Sequence, residues 1–385
     1  MMVPAWWSPL VARFSKAAKK HGKHLQMQIS RPLNNGIISV LIIITLFSQF
    51  TLTANAAEVV EDKESPWLLV PTISSDPKLG TAVGFMGAYI KKFDEESPAS
   101  MFGIAGSYSD TDSFFYGVFT RSYFDADKQR ITAGIMKGKV NNSYEDFLGT
   151  GLPVSTTDDI GIAIFRYFHL YKNNWYLGFQ LVSTDYAILA DDALSGEILD
   201  LVGLTGHRSN GLGLAVNRDT RDNQNSPESG SSFEFHNIAY RKSLGGDVSF
   251  DAYTLSYATY LAHGNGHVTA LRTKGRWTND APTSGYSSIE LRGYTRGEYL
   301  APHMTLFEVD ERIKIKDRWG AKLFTGVAWL YGNEEGRETD SNMFPMAGAG
   351  ITFIIKQKEK MIIRAEYAVG KSDNSAFYLK FGQPF

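Results

Sequence analysis

Bulky apolar residues alternate with polar ones along most of the chain after residue 66. A period of two is typical of β-strands that have one apolar and one polar face. Turn-forming residues separate these stretches, so the pattern predicts sixteen strands. They are 67–75, 80–92, 99–109, 112–123, 129–140, 158–171, 174–186, 205–219, 230–242, 246–262, 267–278, 301–316, 318–331, 345–356, 359–370 and 374–385. Twelve or fourteen strands are the alternatives, because 141–157 and 187–204 are poorly patterned.

Charged residues follow the same alternation. In 301–316, Phe307 and Val309 fall on one face, whereas Glu308 and Asp310 fall on the other. A charge that faces lipid at mid-depth costs about 2–4 kcal/mol, so in a membrane barrel the charged face must line the lumen. The pattern therefore predicts an all-β, transmembrane antiparallel β-barrel.

Of two glutamates in these strands, one follows the alternation of apolar and charged faces and the other departs from it. Glu366 and Arg364 oppose Ile363 and Tyr367 in 359–370, as a luminal face requires. Glu311 instead falls on the apolar face of its strand. Either it lies near a headgroup boundary, or a β-bulge shifts the register beside it.

The first 56 residues have the features of a secretory signal peptide. Basic residues precede an apolar run at 37–47, and Ala54 and Ala56 form an Ala-x-Ala site. An uncleaved inner-membrane anchor is the alternative, but the run reaches only about 14 residues of the roughly 20 that a spanning helix needs. We expect cleavage after Ala56, a short periplasmic lead at 57–66, and a barrel at 67–385. Met27 is an alternative start.

Composition agrees with an exported barrel. The chain has no cysteine, so it uses neither disulfides nor thiol chemistry. Basic and acidic residues number 39 and 41, and all six basic residues of 1–56 leave with the signal peptide, which gives the rest a net charge of −8. No basic patch suggests nucleic acid. The outer membrane of a Gram-negative bacterium is the predicted location.

The last strand ends in a run of alternating bulky residues, Phe377, Leu379 and Phe381, followed by Phe385. This pattern resembles the signal read by the outer-membrane assembly machinery, which would be a partner during biogenesis. The alternative is a plain lipid-facing edge that pairs with the first strand. That first strand contains Pro71, which cannot donate to a β-ladder.

Three motifs resemble the BamA/TamA-type barrel superfamily, also called the bacterial surface antigen family. Arg292-Gly293-Tyr294, between the predicted strands 11 and 12, is similar to the family's loop tag. The stretch 218–230 is similar to its periplasmic turn, and 380–385 to its closing strand. The turn residues that match are Arg218, Asp219, Asp222, Pro227 and Gly230.

The resemblance implies a 16-stranded barrel in which the loop between strands 11 and 12 folds into the lumen. An exposed surface turn is the alternative for this tag. Family members often carry an Asp on strand 13 that receives the loop arginine, but Phe324 begins the corresponding stretch here. Because a buried unpaired guanidinium is costly, Arg292 needs other partners. We expect Glu308, then Asp310 and Glu366.

The resemblance also implies a role in protein or lipid insertion or translocation at the outer membrane. About ten residues separate the cleavage site from Trp67, which leaves no room for the family's POTRA modules, so a separate periplasmic partner is expected. Outer-membrane lipid and lipopolysaccharide are the other partners. A passive or gated pore and a structural surface-antigen barrel are the alternatives.

No sequence motif points to an enzyme, a cofactor or a metal. Gly-x-Ser-x-Gly and phosphate-loop motifs are missing. His263 and His267 flank a hairpin turn, where solvated histidines are more common than metal ligands. A Ser-His pair that meets only in the folded barrel stays open as an alternative.

Overall fold

The structure is a computed structural model that describes residues 65–76, 80–144, 153–202, 206–333, 342–371 and 374–385. The predicted signal peptide and most of the predicted lead lie outside the described residues. Within these ranges, no helix is long and apolar enough to cross a membrane.

Sixteen antiparallel strands form one closed barrel in which each strand pairs with its neighbours in the chain, and the last strand pairs with the first. The predicted fold class and strand count are confirmed. The strands are β1 Trp67–Asp76, β2 Gly80–Lys91, β3 Ser100–Ser109, β4 Phe114–Phe124, β5 Gln129–Tyr144, β6 Val154–Lys172, β7 Trp175–Ala190, β8 His207–Asp219, β9 Gly230–Tyr240, β10 Phe250–His263, β11 His267–Asn279, β12 His303–Lys316, β13 Trp319–Tyr331, β14 Met343–Lys356, β15 Met361–Gly370 and β16 Ser375–Phe381.

Several strand limits differ from the sequence expectation. β5 and β6 pair at the two ends of the poorly patterned 141–157 stretch, Asn141–Tyr144 with Val154–Thr157, where side-chain contacts at Asn142 and Thr157 support the ladder. The predicted last strand, 374–385, was too long at its end. β16 stops at Phe381, and Gly382 turns the backbone away with a φ of 76°.

The two ends of the barrel carry different connections. We call the end where β1 begins and β16 stops the lower end, and the other the upper end. The lower connections are short apart from 92–99 and 220–229. The upper connections include α1 (Ala193–Val202) and the long stretch 280–302. The Asp192 carboxylate caps α1, and its pKa is lowered because the Ser195 backbone N–H and hydroxyl donate to it.

The faces of the strands alternate as predicted. On β12, the Phe307 side chain is 43% exposed on the outside, whereas Glu308 is 1% exposed on the inside. The alternation is regular at Glu311, and the bulge lies further along, between Lys314 and Lys316. Glu311 therefore faces outward near the lower end, where His263 Nε2 lies 2.9 Å from its carboxylate. The predicted position near a headgroup boundary therefore explains Glu311, whereas a β-bulge beside it does not.

The closing junction between β1 and β16 is the shortest ladder of the barrel. Among the described residues only three pairs join these strands: Ile73 with Leu379, Ser74 with Tyr378, and Ser75 with Phe377. On its other side, β1 pairs with β2 along its whole length. The lower part of β1 therefore has no ladder partner on the seam side.

Apolar packing replaces the missing ladder at the lower part of the seam. Leu68 and Val70 alternate with the exposed Leu69, so they belong to the inner face of β1. They form a buried cluster against which Phe381 and Ile363 pack, from the outer faces of β16 and β15. The two sheet edges overlap here instead of meeting edge to edge.

The junction of β8 and β9 depends on one glycine. A Cβ built on Gly213 would lie 1.6 Å from the carbonyl oxygen of Asn237, and the Asn237 side chain accepts the N–H of Leu214 at this point. We predict that Gly213→Ala destabilises the barrel by about 1–3 kcal/mol, because overpacking there must displace backbone. Urea unfolding followed by heat-modifiable gel mobility measures this.

Gly161→Ala is the matched control, because the nearest atom to its Cβ would be 3.6 Å away. Equal unfolding midpoints for the two variants would contradict the close approach at Gly213.

Candidate functional site: the filled lumen and the seam

The stretch 280–302 between β11 and β12, here called the luminal loop, folds into the barrel. Its residues Leu291–Thr295 are buried in succession, which an exposed surface turn would not allow. A two-residue ladder joins Ser287–Ser288 to Leu300–Ala301 and closes the base of the loop. The loop's apolar side chains then pack against the inner faces of β12–β15.

Arg292 reaches the three carboxylates that the sequence proposes as its partners. Its Nη2 atom lies 2.5 Å from Asp310 Oδ1 and 3.4 Å from Glu308 Oε1, and its Nη1 atom lies 3.3 Å from Glu366 Oε1. The guanidinium carbon also lies 3.6 Å from the centre of the Phe324 ring. Phe324 stands where the family often has an Asp, so a cation–π contact takes the place of an ion pair.

Further cations, which were not among the predicted site residues, complete the network. Lys322 Nζ lies 2.8 Å from Asp310 Oδ2 and 2.9 Å from Glu366 Oε1, and its side chain is fully buried. Arg364 Nε lies 2.9 Å from the other oxygen of Glu366. Arg272 pairs with Glu308. The four cations Arg272, Arg292, Lys322 and Arg364 thus neutralise three carboxylates and leave a formal charge of +1.

Gly293 and Tyr294 fix the loop tip against β14–β16. Gly293 has a φ of 88°, and its N–H donates to the Tyr378 hydroxyl on β16. The Tyr294 hydroxyl donates to the Pro345 carbonyl at 2.5 Å and accepts the N–H of Lys371 at 2.7 Å. The tag therefore links the loop to the strands next to the seam.

Comparison with known families identifies the superfamily of this barrel. The profile of the Omp85 superfamily domain matches residues 99–296, which is just over half of the chain. The chain belongs to the Omp85 superfamily. The predicted relationship to BamA-type barrels is thereby confirmed. No curated protein sequence matches the chain.

Solved Omp85 structures share the fold at low sequence identity. BamA from Haemophilus ducreyi lacking POTRA domains 1-3 is 14% identical, with a TM-score of 0.53, and the match covers 93% of this chain and 80% of that one. CdiB from Acinetobacter baumannii is 11% identical, with a TM-score of 0.55 over 82% and 59% of the two chains. CdiB from Escherichia coli is 10% identical, with a TM-score of 0.58 over 83% and 63%. The chain thus spans about three fifths of each CdiB.

The β8–β9 turn, residues 220–229, carries a second ion network at the lower end of this Omp85 barrel. Asp219 is buried at its start and accepts hydrogen bonds from Arg130, Arg221 and Gln224 at 2.8–3.0 Å. Neither Arg130 nor Arg221 was a predicted site residue. The sequence gives little indication that Arg130 contacts Asp219, because Arg130 lies on β5, 89 residues before Asp219.

The other matched residues of this turn have separate places. Asp222 accepts the N–H groups of Glu228 and Ser229, and the Pro227 carbonyl accepts a hydrogen bond from Arg312. Gly230 has a φ of 91°, and a Cβ there would lie 2.1 Å from the Thr220 carbonyl oxygen. Arg218 lies outside the network, exposed on the outer face near Trp175.

The predicted assembly signal divides into two parts. Phe377, Leu379 and Phe381 lie on the outer face of β16, and Leu379 is buried against β1 at the seam. Phe385 does not continue this face. Its ring lies inside the barrel beside Arg272, and its backbone oxygen accepts a hydrogen bond from Arg312 at 3.0 Å.

In the part of the chain that the structure describes, the candidate catalytic groups do not form a complete Ser-His-acid site. Ser284 Oγ lies 2.8 Å from His207 Nδ1 at the upper end. In the described ranges, however, no carboxylate is within hydrogen-bonding distance of the other His207 nitrogen, which a Ser-His-acid site requires. The rings of His263 and His267 lie 5.9 Å apart, and the described residues contain no group of three or more His, Cys, Asp or Glu side chains that could hold a metal.

We predict that Arg292→Ala loosens the luminal loop. The substitution removes the contacts of Arg292 with Asp310, Glu308 and Glu366, each of which keeps another cation, so the loss is that of charge-assisted hydrogen bonds, about 1.5–3 kcal/mol each. Planar-bilayer recordings should show frequent channel openings in the variant and quiet traces in the parent protein. Heat-modifiable gel mobility should show a lower unfolding temperature.

Arg296→Ala in the same loop is the control, because this side chain is 77% exposed and its ion pair with Glu290 is long, at 3.6 Å. Unchanged conductance and unfolding temperature in Arg292→Ala would contradict the bracing role of Arg292.

The lower network gives a second prediction. Asp219→Ala removes the shared acceptor of Arg130 and Arg221 and should reduce the free energy of unfolding by about 3–5 kcal/mol. Asp185→Ala is the control, because its ion pair with Arg208 is exposed and such pairs contribute about 0–1 kcal/mol. Urea titration of both variants tests this. An equal loss in the free energy of unfolding of both variants would show that the buried Asp219 network stabilises the barrel no more than an exposed ion pair does.

Proposed function

We propose that this Omp85 barrel lies in the outer membrane of a Gram-negative bacterium and assists the insertion or translocation of protein or lipid there, without enzymatic chemistry. The β1–β16 seam is the observation that carries the proposal. Among the described residues it has three ladder pairs, whereas every other junction has at least seven. A junction held by so few hydrogen bonds is the one that opens at least cost.

The exposed edge of β1 is suited to accept another strand. The segment Trp67–Thr72 presents backbone groups that no strand on the seam side pairs with, among the described residues. An unpaired edge is a template for β-augmentation, in which an incoming extended segment adds to the sheet. Pro71 removes one donor but leaves the remaining groups available. A client strand at this edge would be presented directly to lipid.

The outer face and the lower end of the barrel indicate which partners the protein would have. The outer face exposes large apolar side chains such as Ile104, Leu181 and Leu214, which suit contact with lipid acyl chains, and lipopolysaccharide would surround the upper end. The seam edge lies at the lower end, where both β1 and the β8–β9 turn face the periplasm in the predicted orientation. A separate periplasmic protein would deliver the client there.

A passive or gated pore is the second candidate. A cavity of about 670 Å³ lies in the upper lumen, bordered by the luminal loop at Arg292 and Tyr294. Below it, the ion network around Lys322 and Asp310 occupies the interior. This filling disfavours a steady open pore. A structural surface-antigen barrel would need neither a cavity nor a weak seam.

Locking the seam tests the proposal. Ser75 and Phe377 are a ladder pair, so Ser75→Cys with Phe377→Cys should form a crosslink in a chain that otherwise has no cysteine. Proteoliposomes containing the protein would receive a urea-unfolded, eight-stranded outer-membrane barrel, and its folding rate would be measured by gel mobility. We expect the reduced protein to accelerate folding and the crosslinked protein to lose at least about tenfold, with recovery after reduction, because tenfold corresponds to about 1.4 kcal/mol.

Thr259→Cys with Leu271→Cys, a pair within the long β10–β11 ladder, is the matched control and should keep its activity when crosslinked. Full activity of the seam-locked protein would refute a role for seam opening. If neither form accelerates folding, the insertion role itself is wrong, and conductance recordings then decide between a pore and a structural barrel.

A further inference from the structure

Two cations face outward on β5 and β8 near the upper end of the barrel. Lys137 follows the outward Ile135 by two residues and is exposed, and Arg208 lies on the outer face of β8 with 56% of its side chain exposed. A cation is costly in lipid at mid-depth, but the cost becomes small near the interface. These side chains therefore mark the level at which the apolar outer face meets the headgroups.

Both cations belong to one row of residues that face one another across neighbouring strands. The row runs from β4 to β8 through Tyr116, Lys137, Gly161, Asp185 and Arg208. Neighbouring strands lie about 4.8 Å apart, so three spacings place the backbone positions of Lys137 and Arg208 about 14 Å from each other. Because Gly161 has no side chain, the row presents two separated cations above a low stretch of backbone.

Pairing within the protein does not cancel the positive charge at this level. Arg208 Nη2 lies 3.3 Å from Asp185 Oδ2, in an exposed pair of the kind that contributes little. Lys137 makes no ion pair with any residue that the structure describes. One row higher, Lys139 faces Asp159 across the β5–β6 ladder. Three cations and two carboxylates thus leave a formal charge of +1 on this part of the outer face.

An apolar groove of about 670 Å³ lies directly below this row on the outer face. Its two walls are the next outward rows, one from Val118 to Asn210 and the other from Thr120 to Leu212. The side chains of the row between them point inward, so backbone forms the floor of the groove. The groove thus faces lipid along its whole length.

The groove has a direction and a length that suit an acyl chain. It crosses the five strands β4 to β8, which is about 19 Å at 4.8 Å per spacing, and one leaflet of the hydrocarbon core is about 15 Å thick. Because outer-membrane strands tilt by about 35–45°, a groove across them is also inclined to the membrane. Asn210 lies near the upper end of β8 and Thr120 in the middle of β4, so the groove descends from the headgroup level.

Hydrogen bonds fix the upper end of the groove. Ser183 Oγ donates to Asn210 Oδ1 at 2.7 Å, and Asn210 Nδ2 donates to the Leu244 carbonyl in the β9–β10 turn at 2.9 Å. These bonds hold Leu244 at the end of the groove, which it lines. In the upper wall, Ala163 and Ser183 are small and lie next to Gly161, so the groove opens upward between the two cations.

We propose that the groove and the cation row above it form a binding site for lipid A, the acylated and phosphorylated anchor of lipopolysaccharide. One acyl chain lies in the groove, and the phosphates at the two ends of the lipid A disaccharide pair with Lys137 and Arg208 above Gly161. A glycerophospholipid carries a single phosphate and reaches only one of the two cations. The site rests on the outer-membrane location and orientation of the proposed function, and it anchors β4–β8 in the outer leaflet.

Lipid binding to the purified protein tests this site. The mature protein would be unfolded in urea to remove cellular lipid, refolded in dodecyl maltoside, and titrated with diphosphorylated lipid A, dephosphorylated lipid A or phosphatidylglycerol. Native mass spectrometry would count the bound lipids and give their dissociation constants. We expect one diphosphorylated lipid A per barrel, bound at least about tenfold more tightly than either of the other lipids.

Lys137→Gln combined with Arg208→Gln removes both proposed phosphate contacts. The dissociation constant of diphosphorylated lipid A should rise at least about tenfold, because each cation near an anionic lipid adds to binding. Binding of dephosphorylated lipid A should stay the same. Arg218→Gln is the matched control, because Arg218 is an exposed arginine on the outer face at the lower end, and this variant should bind as the parent does.

Ala163→Phe tests the groove without changing a charge. The larger side chain would fill the space between the two walls and should weaken the binding of both forms of lipid A. Ala349→Phe is its control, because Ala349 is exposed on the outer face of β14, away from the groove. Heat-modifiable mobility would confirm that each variant is folded.

Equal affinity of the parent and the Lys137/Arg208 variant for diphosphorylated lipid A would overturn the site. Equal binding of phosphatidylglycerol and diphosphorylated lipid A by the parent would also overturn it, because the contact would then be unspecific. Either result leaves the seam-locking experiment unaffected, since that experiment can use liposomes without lipopolysaccharide. Intact lipid A binding together with an inactive seam would reject the insertion role and keep the lipid site.

Discussion

Hydrocarbon offers no hydrogen bonds, so every strand edge at membrane depth needs a partner from the protein itself. This chain meets that constraint with longer ladders at fifteen junctions, whereas at the sixteenth a three-pair ladder is followed by apolar overlap that leaves the edge of β1 without strand partners among the described residues. Leu68 and Val70 cover Phe381 where backbone pairing ends. The seam is therefore closed to lipid while it is held by few directional bonds.

The lumen obeys a second constraint, which follows from the first. Outer faces must be apolar, so the charges of β11–β15 are forced inward, where they lose most of their water. Their desolvation is offset only by mutual pairing. Lys322 has no exposed side-chain surface and contacts two carboxylates, which shows how completely the interior replaces solvent.

Period-two alternation predicted the sixteen strands because a barrel in lipid fixes the face of every residue. The same alternation placed Glu308, Asp310 and Glu366 toward the interior, and the loop motif indicated that Arg292 would need them. Contacts between distant strands were not predictable in this way. Arg130 and Asp219 meet across 89 residues, and Phe385 left its expected face because cations on β11 and β12 hold it inside.

The Lys322 cluster also bears on how the barrel assembles. Its partner Asp310 lies on the neighbouring strand β12, whereas Glu366 lies on β15 and Gln383 follows β16, so the network is complete only when the final strands have joined the sheet. A half-built barrel would leave the ammonium group with one of its two carboxylates. Completing the charge network therefore requires the last strands, which makes incomplete barrels unstable relative to the finished one.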